Sequence, residues 1–206
     1  DAVQAACWLD VRDIVTVTDV VSFSAHKFGG PKGMGVMVVK AGTTLEPLIM
    51  GGGQERDRRS GTLNVAGIVA TAAALRSTAD SRATEVMRVA ELKRALVSGI
   101  LSQLPDTIET IPTSASVPGV AHLCIAGIES EALLYLLDEA GVCASAASAC
   151  ASGAMEPSHV LQAMGVEPRY VQGALRLSLG HTTTEHDVAT AIDAIVHSVR
   201  RLRHQQ

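Results

Sequence analysis

The chain has 206 residues, 47% of them hydrophobic and 18% charged, a composition typical of a globular protein with one large domain or two small ones. A formal net charge of −4 disfavours direct binding to nucleic acid, and the few aromatic residues predict an aliphatic core without a base-stacking surface. No apolar stretch reaches the ~20 residues that a membrane-spanning helix needs.

The four cysteines, Cys7, Cys124, Cys143 and Cys150, form no C-x-x-C pair and have no histidines at zinc-finger spacing. Because there is also no secretory signal, we expect free thiols, a cytoplasmic location and no metal site. Cys7, Cys124 and Cys143 lie in or beside apolar runs, which favours inert, buried thiols. The chain starts at Asp1 and not at a methionine, which we interpret as a fragment or a processed product.

Residues 1–40 alternate between short β-branched runs and turns. The pattern predicts strands over 13–17, 19–23 and 35–39, and apolar runs of this kind suit strands buried on both faces of a parallel or mixed sheet. Lys27 follows the second run, in the segment Ser24-Ala25-His26-Lys27-Phe28-Gly29-Gly30. A lysine at a strand end can lose its proton when it is desolvated and form an imine with a carbonyl. The alternative is a surface lysine before a tight turn.

The glycine-dense turn at 29–33 does not fit a phosphate-binding P-loop. Such a loop needs Gly-Lys followed by Ser or Thr, whereas Lys32 here precedes Gly33. The glycines still permit positive φ angles or a close approach of the backbone to a ligand. A second glycine-rich segment, the polar loop 51–62, ends just before a helical region.

The helical region starts at Asn64 and continues to about Leu104, and the sequence Ser77-Thr78-Ala79-Asp80 predicts a break within it. Pro105 ends the region and predicts a domain boundary. We therefore expect three parts, namely a first domain over 1–76, a connecting helix over 77–104 and a small α/β domain over 105–206.

The part after Pro105 alternates between strand and helix patterns. Arg176 lies inside an otherwise apolar strand, where a charge needs a partner, and its guanidinium would suit a substrate carboxylate. The alternative is a structural ion pair. Thr184-x-x-Asp187 predicts a capping box at the start of the last helix. The predicted strands cover 107–111, 120–125 and 174–179, and the predicted helices cover 130–140, 157–164 and 184–203.

Cys150 differs from the other cysteines because only Ala, Ser and Gly surround it, in the segment 147–154. Little steric shielding suits an exposed thiolate nucleophile, and the alternative is an inert buried cysteine. Asp1, at the end of a possible strand, is compatible with pairing to a ring nitrogen.

Taken together, these motifs resemble those of cysteine desulfurases, in the aminotransferase class-V group of pyridoxal-phosphate enzymes. The matches occur in order over nearly the whole chain. The resemblance implies an α/β protein of the pyridoxal-phosphate-dependent transferase fold type I, comprising the C-terminal part of the large domain plus a small α/β domain. The matching motifs are D-A-x-Q (1–4), S-x-H-K-x-x-G-P-K-G-x-G (24–35), G-G-G-x-E-R (51–56), R-S-G-T (59–62), S-A-C-x-S (148–152) with E-P-S-x-V-L (156–161), and R-x-S-L-G (176–180).

The resemblance implies cofactor-binding roles for five matched residues. Lys27 would bind pyridoxal 5'-phosphate covalently. Asp1 would pair with the pyridinium nitrogen, so that the ring works as an electron sink, and Gln4 would donate to the ring oxygen. Ser24 and His26 would bind the cofactor phosphate.

The resemblance also implies roles for three further residues, in binding the substrate, in the reaction and in the second subunit. Thr62 would reach the cofactor phosphate in the other subunit of a homodimer. Arg176 would hold the carboxylate of L-cysteine. Cys150 would attack the substrate sulfur, keep it as a persulfide for a sulfur-acceptor protein and release alanine. The resemblance leaves the acceptor open among iron–sulfur assembly, tRNA thiolation and DNA phosphorothioation.

Two features depart from the family pattern. The segment 143–147 has no glycine and carries an extra thiol at Cys143. The family's N-terminal half, with a histidine that stacks on the cofactor, is missing, so we expect it on the same polypeptide or on a separate one.

The alternatives to a cysteine desulfurase are a selenocysteine lyase, another class-V enzyme or a non-catalytic interaction module. The setting of Cys150 argues against an aminotransferase, which needs no nucleophilic thiol.

Overall fold

The computed structural model describes residues 1–146 and 158–204. Contacts between Cα atoms divide the chain into two compact units, residues 1–84 and residues 85–206. The boundary falls within helix α2 (Val65–Leu101). Each unit is described by itself below.

The first unit contains an antiparallel pair of strands, β1 (Val20–Ser24) and β2 (Gly35–Val39). A 3-10 helix, Ala25–Phe28, follows β1 directly. Burial alternates along β1, so that one face of the pair packs on a small core and the other is exposed. The described residues therefore do not show the predicted burial of these strands on both faces, and their pairing is antiparallel, which a mixed sheet allows and a parallel one does not. The buried core consists of Ala2, Ala6, Val21, Phe23, Ala25 and Phe28.

The predicted strand at 13–17 is wrong, because Arg12–Val17 forms helix α1. Strand propensity is a weak prior that local bonding and packing can override. The Asp10 carboxylate accepts from the Arg12 backbone N–H at 3.1 Å, which favours a helical turn at this point. Ile14 and Val15 then pack on the core of the first unit, while Val17 is 81% exposed.

Helix α2 has no break at 77–80. Asn64 starts it by accepting a hydrogen bond from the Gly67 N–H at 3.0 Å, as an N-terminal cap does. The residues for which a break was predicted remain helical. Within this stretch the Ser81 hydroxyl donates to the Ser77 carbonyl at 2.9 Å, a bond that a helix accommodates. The helix ends at Leu101, before Pro105.

The second unit is built on an antiparallel sheet in the order β3 (Thr107–Glu109), β4 (Val120–Ile125) and β5 (Ala174–Ser178). These strands confirm the predicted ones, although β3 is shorter. The predicted capping box at Thr184 is also confirmed. The helices of this unit are α3 (Ser130–Glu139), α4 (His159–Ala163), α5 (Pro168–Val171) and α6 (Glu185–Arg203), together with the last turns of α2.

The two faces of this sheet differ. Leu123 and Leu175, paired across β4 and β5, are fully buried on one face. On the other face, Cys124 and Ala174 pack with Tyr170 and nearby apolar residues at one end. The other end of that face is polar, because His122 and Arg176 form the next cross-strand pair on it.

Candidate functional site

The predicted cofactor lysine lies in a tight turn after β1. We call residues 24–30, which include the 3-10 helix, the lysine turn. The Lys27 side chain is exposed, and its amine forms no hydrogen bond or ion pair with any residue in the described part of the chain. Gly29 ends the 3-10 helix with φ of 82°, which confirms the predicted positive φ. A Cβ on Gly30 would lie 2.9 Å from the Ala25 Cβ, so the turn requires a glycine there.

The segment that carries Asp1 and Gln4 runs beside the lysine turn. The Ala2 N–H donates to the Ser22 carbonyl at 3.0 Å, which places the start of this segment next to β1. Further along, the Cys7 thiol donates to the Lys27 carbonyl at 2.9 Å. The structure therefore places the start of this segment beside β1 and Cys7 beside Lys27.

Ser24 and His26 belong to the lysine turn itself. Ser24 is half-buried at the end of β1, and His26 is exposed on the 3-10 helix. Both precede Lys27 closely in the sequence, so a hydroxyl, an imidazole and an amine lie within four consecutive residues. This set can bind an anion and carry an amine beside it.

Thr62 is exposed at the end of the polar loop, two residues before the cap of α2. The cap residue, Asn64, contacts Met34 through its side-chain amide, at 3.5 Å from the sulfur. The Met34 carbonyl in turn accepts from the Ala25 N–H at 3.0 Å. The loop that carries Thr62 is thus connected to the lysine turn through two contacts.

Arg176 lies in the second unit, in the middle of β5, which we call the arginine strand. The Arg176 N–H donates to the Ser145 carbonyl at 2.7 Å, and the Ser145 N–H donates to the Arg176 carbonyl at 3.1 Å. On its other side, β5 pairs with β4, where Arg176 lies opposite His122. The side chain is half-buried. No carboxylate within residues 1–146 and 158–204 forms an ion pair with it, so the described part of the chain does not support the structural ion-pair alternative.

His122 is the neighbour of Arg176 across the sheet, and sequence reasoning missed it. Its Nδ1 lies 2.6 Å from the Thr110 hydroxyl oxygen. Burial lowers the pKa of the imidazole below its ordinary 6.5, and the positive charge of Arg176 lowers it further. The signal was present, since His122 is a polar residue in an apolar strand, as Arg176 is.

The cysteines differ in their surroundings. Cys124 is buried, as predicted, and burial raises the pKa of its thiol. Cys143 is exposed, so the prediction of a buried thiol is wrong there. It lies in coil beyond the end of α3, just after Gly141 with φ of 76°, and not within a strand. Cys150 lies outside the described residues.

Within the described ranges, no cluster of three or more His, Cys, Asp or Glu residues could hold a metal ion. Across the same ranges, no helix is both long enough and apolar enough to cross a lipid bilayer.

The mixed α/β structure agrees with the class of protein that comparison with known proteins gives. The sequence profile of the aminotransferase class-V family matches residues 1–190. The chain therefore belongs to this family and has the α/β fold of the fold type I enzymes.

Its relatives within the family carry a more specific name. The chain is 41% identical to an IscS-like cysteine desulfurase of Mycobacterium tuberculosis, over 98% of this chain and 52% of the relative. It is 39% identical to a cysteine desulfurase of Enterobacter agglomerans, over 98% of this chain and 50% of the relative. A solved NifS-like protein superimposes with a TM-score of 0.85 at 34% identity, over 98% of this chain and 51% of that one. The chain thus spans about half the length of the relatives that it matches.

Proposed function

We propose that the protein acts as a pyridoxal-phosphate-dependent cysteine desulfurase, which converts L-cysteine to L-alanine and keeps the sulfur as a persulfide on Cys150. The observation that carries this proposal is the exposed Lys27 amine on a short turn that also contains Ser24 and His26. The segment that begins at Asp1 runs beside this turn. The names of the relatives support the same reaction and favour it over a non-catalytic module.

The residues of the first unit fit pyridoxal phosphate by their chemistry. The Lys27 amine suits an aldehyde carbon, and the hydroxyl of Ser24 and the imidazole of His26 suit a phosphate. The Asp1 carboxylate, which accepts from the Val3 N–H at 2.8 Å, suits a protonated ring nitrogen. When bound, the cofactor would supply an electron sink for the carbon next to the substrate nitrogen.

Arg176 would bind the substrate carboxylate. A half-buried guanidinium is stabilised most by an anionic partner, because hydrogen bonds between two charged groups are the strongest that a side chain forms. Its backbone is fixed on both sides, so the guanidinium starts from a defined position. The Lys27 amine would also carry a proton to or from the substrate carbon.

Cys150 would be the nucleophile. Its thiolate would attack the sulfur of the substrate, so that a sulfur–sulfur bond forms while the carbon–sulfur bond breaks. The electron pair of the broken bond stays with the carbon, which takes a proton and leaves as alanine. The persulfide on Cys150 would then pass its outer sulfur to a thiol of an acceptor protein.

The same proposal includes the surroundings of the enzyme. We propose a cytoplasmic homodimer in which Thr62 serves the cofactor phosphate of the partner subunit. The other half of the desulfurase fold would come from the same polypeptide or from a separate one. The acceptor would belong to iron–sulfur assembly, tRNA thiolation or DNA phosphorothioation.

The decisive experiment compares Cys150→Ser with Cys143→Ser in the full-length protein with L-cysteine. Cys143 is the matched control, because it is an exposed thiol seven residues away in the same segment. We expect Cys143→Ser to keep sulfide and alanine release, and Cys150→Ser to lose both along with the persulfide, measured by mass spectrometry after alkylation. Full sulfide release by Cys150→Ser would contradict the proposed mechanism.

A further inference from the structure

The 3-10 helix that carries Lys27 is held at its carbonyl end by side chains from two other segments. A helix of four residues, Ala25–Phe28, leaves most of its carbonyls without a partner inside the helix. The Cys7 thiol donates to the Lys27 carbonyl at 2.9 Å, and the Thr78 hydroxyl donates to the Phe28 carbonyl at 3.2 Å. The Gly30 N–H closes the turn on the Ala25 carbonyl at 2.8 Å.

Cys7 is suited to donate and not to react. The thiol is half-buried against the core of the first unit, and burial raises its pKa, while the charge of Arg82 lowers it by less. It therefore keeps its proton at neutral pH. The Arg82 guanidinium also donates to the Ala6 carbonyl at 3.1 Å, which fixes the backbone beside the thiol.

Thr78 supplies the second bond from the middle of α2. A threonine within a helix commonly bonds a carbonyl of the preceding turn, as Thr71 does with Gly67 at 2.7 Å. Thr78 instead bonds Phe28, fifty residues away in the sequence. Because α2 is unbroken here, the hydroxyl projects from a rigid element.

We propose that Cys7 and Thr78 are positioning residues for the cofactor lysine, acting through the backbone carbonyls of Lys27 and Phe28. This inference rests on the proposed function, since it takes Lys27 to be the residue that bonds the cofactor. The lysine side chain is long and exposed, so its amine can reach a defined atom only if its backbone is fixed. The two bonds fix that backbone and leave the amine free.

The experiment uses two matched pairs of variants in the full-length protein. Cys7→Ala and Thr78→Val remove the hydrogen-bond donor with little change of shape. Cys7→Ser and Thr78→Ser retain a donor at the same position, in both cases a hydroxyl. The first readout is amide hydrogen exchange of residues 27–30 in the cofactor-free protein. The second readout is the dissociation constant for pyridoxal phosphate from its absorbance, with borohydride reduction and peptide mass to identify the bonded lysine. Thermal unfolding of each variant reports any general loss of structure.

We expect Cys7→Ala and Thr78→Val to speed exchange and to weaken cofactor binding about three- to tenfold, the factor that one net hydrogen bond is worth. The two serine variants should stay within about twofold of the wild type. Unchanged amide exchange of residues 27–30 in Cys7→Ala and Thr78→Val would overturn the inference. So would serine variants that bind pyridoxal phosphate as weakly as Cys7→Ala and Thr78→Val do. If the wild type bonds the cofactor at a lysine other than Lys27, the proposed site itself fails, and the peptide mass distinguishes that result.

Discussion

The lysine turn and the arginine strand hold their functional residues in different ways. The backbone around Lys27 is fixed partly by side chains, namely the Cys7 thiol and the Thr78 hydroxyl. The backbone of Arg176 is fixed by two main-chain hydrogen bonds to Ser145 and by the pairing of β5 with β4. A substitution other than one to proline can delete a side-chain donor but leaves a main-chain donor in place. The position of the lysine is therefore open to change by single substitutions nearby, whereas the position of the arginine is not.

The two residues also differ in what surrounds the charge. Lys27 is exposed on a turn, where its amine is accessible to the carbonyl of a small molecule. Arg176 is half-buried beside His122, and no carboxylate of the described residues compensates it. A desolvated guanidinium binds an arriving carboxylate more strongly than an exposed one does. This contrast suits Lys27 to chemistry and Arg176 to binding, and the predictions below test it.

The largest effect is expected at Lys27. Lys27→Ala should reduce the turnover of cysteine about a thousandfold or more, because it removes both the covalent attachment and the proton carrier. Lys32→Ala is the matched control, since Lys32 is an exposed lysine five residues further on. Alanine formation at saturating cysteine measures the turnover. A loss of less than tenfold in Lys27→Ala would remove Lys27 from the chemistry.

Arg176 should affect binding more than turnover. Arg176→Gln should raise the KM for cysteine about ten- to a hundredfold, the worth of a hydrogen bond to a charged group, with a smaller change in kcat. Arg201→Gln, an exposed arginine on α6, should leave both constants unchanged. A fall in kcat with an unchanged KM would reverse the roles that the comparison gives to the lysine turn and the arginine strand.

The arginine strand was easier to predict from the sequence than the lysine turn. The strand patterns at 120–125 and 174–179 predict β4 and β5, and the main-chain bonds around Arg176 follow from strand pairing. The placement of Lys27 depends on Cys7 and Thr78, which are 20 and 51 residues away from it, so no local pattern shows these bonds. Thr78 even predicted a helix break, because a hydroxyl competes with helical bonds unless tertiary structure gives it a distant partner.

A change just beyond the arginine strand should lower stability without changing substrate binding. Thr184 caps α6, where its hydroxyl accepts from the Asp187 N–H at 3.2 Å and the Asp187 carboxylate accepts from the Thr184 N–H at 2.8 Å. Thr184→Ala should cost about 1 kcal/mol of unfolding free energy, measured by denaturant titration. Thr190→Ala, within the same helix, should not lose stability because alanine favours helix. A raised KM in Thr184→Ala would show that the position of Arg176 depends on more than its main-chain bonds.

The smallest effect is a pH dependence at His122. Because the folded protein lowers the pKa of this imidazole below 6.5, the unfolded chain takes up the proton first as the pH falls. The unfolding free energy should therefore fall as the pH drops from 7 through about 6.5, and His122→Gln should make that fall less steep. His197→Gln, on an exposed histidine of α6, should keep the wild-type slope. A wild-type slope in His122→Gln would contradict the prediction.

The two causes of the pKa shift at His122 can be separated by substitution of Arg176. Burial of His122 is the larger cause, and the charge of Arg176 is the smaller. Arg176→Gln should therefore restore only part of the lost stability at low pH. The same reasoning predicts that a carboxylate bound at Arg176 raises the pKa of His122, which an imidazole NMR titration with and without a substrate analogue would detect. If the pKa of His122 is the same in Arg176→Gln as in the wild type, the charge of the Arg176 guanidinium does not influence the His122 imidazole.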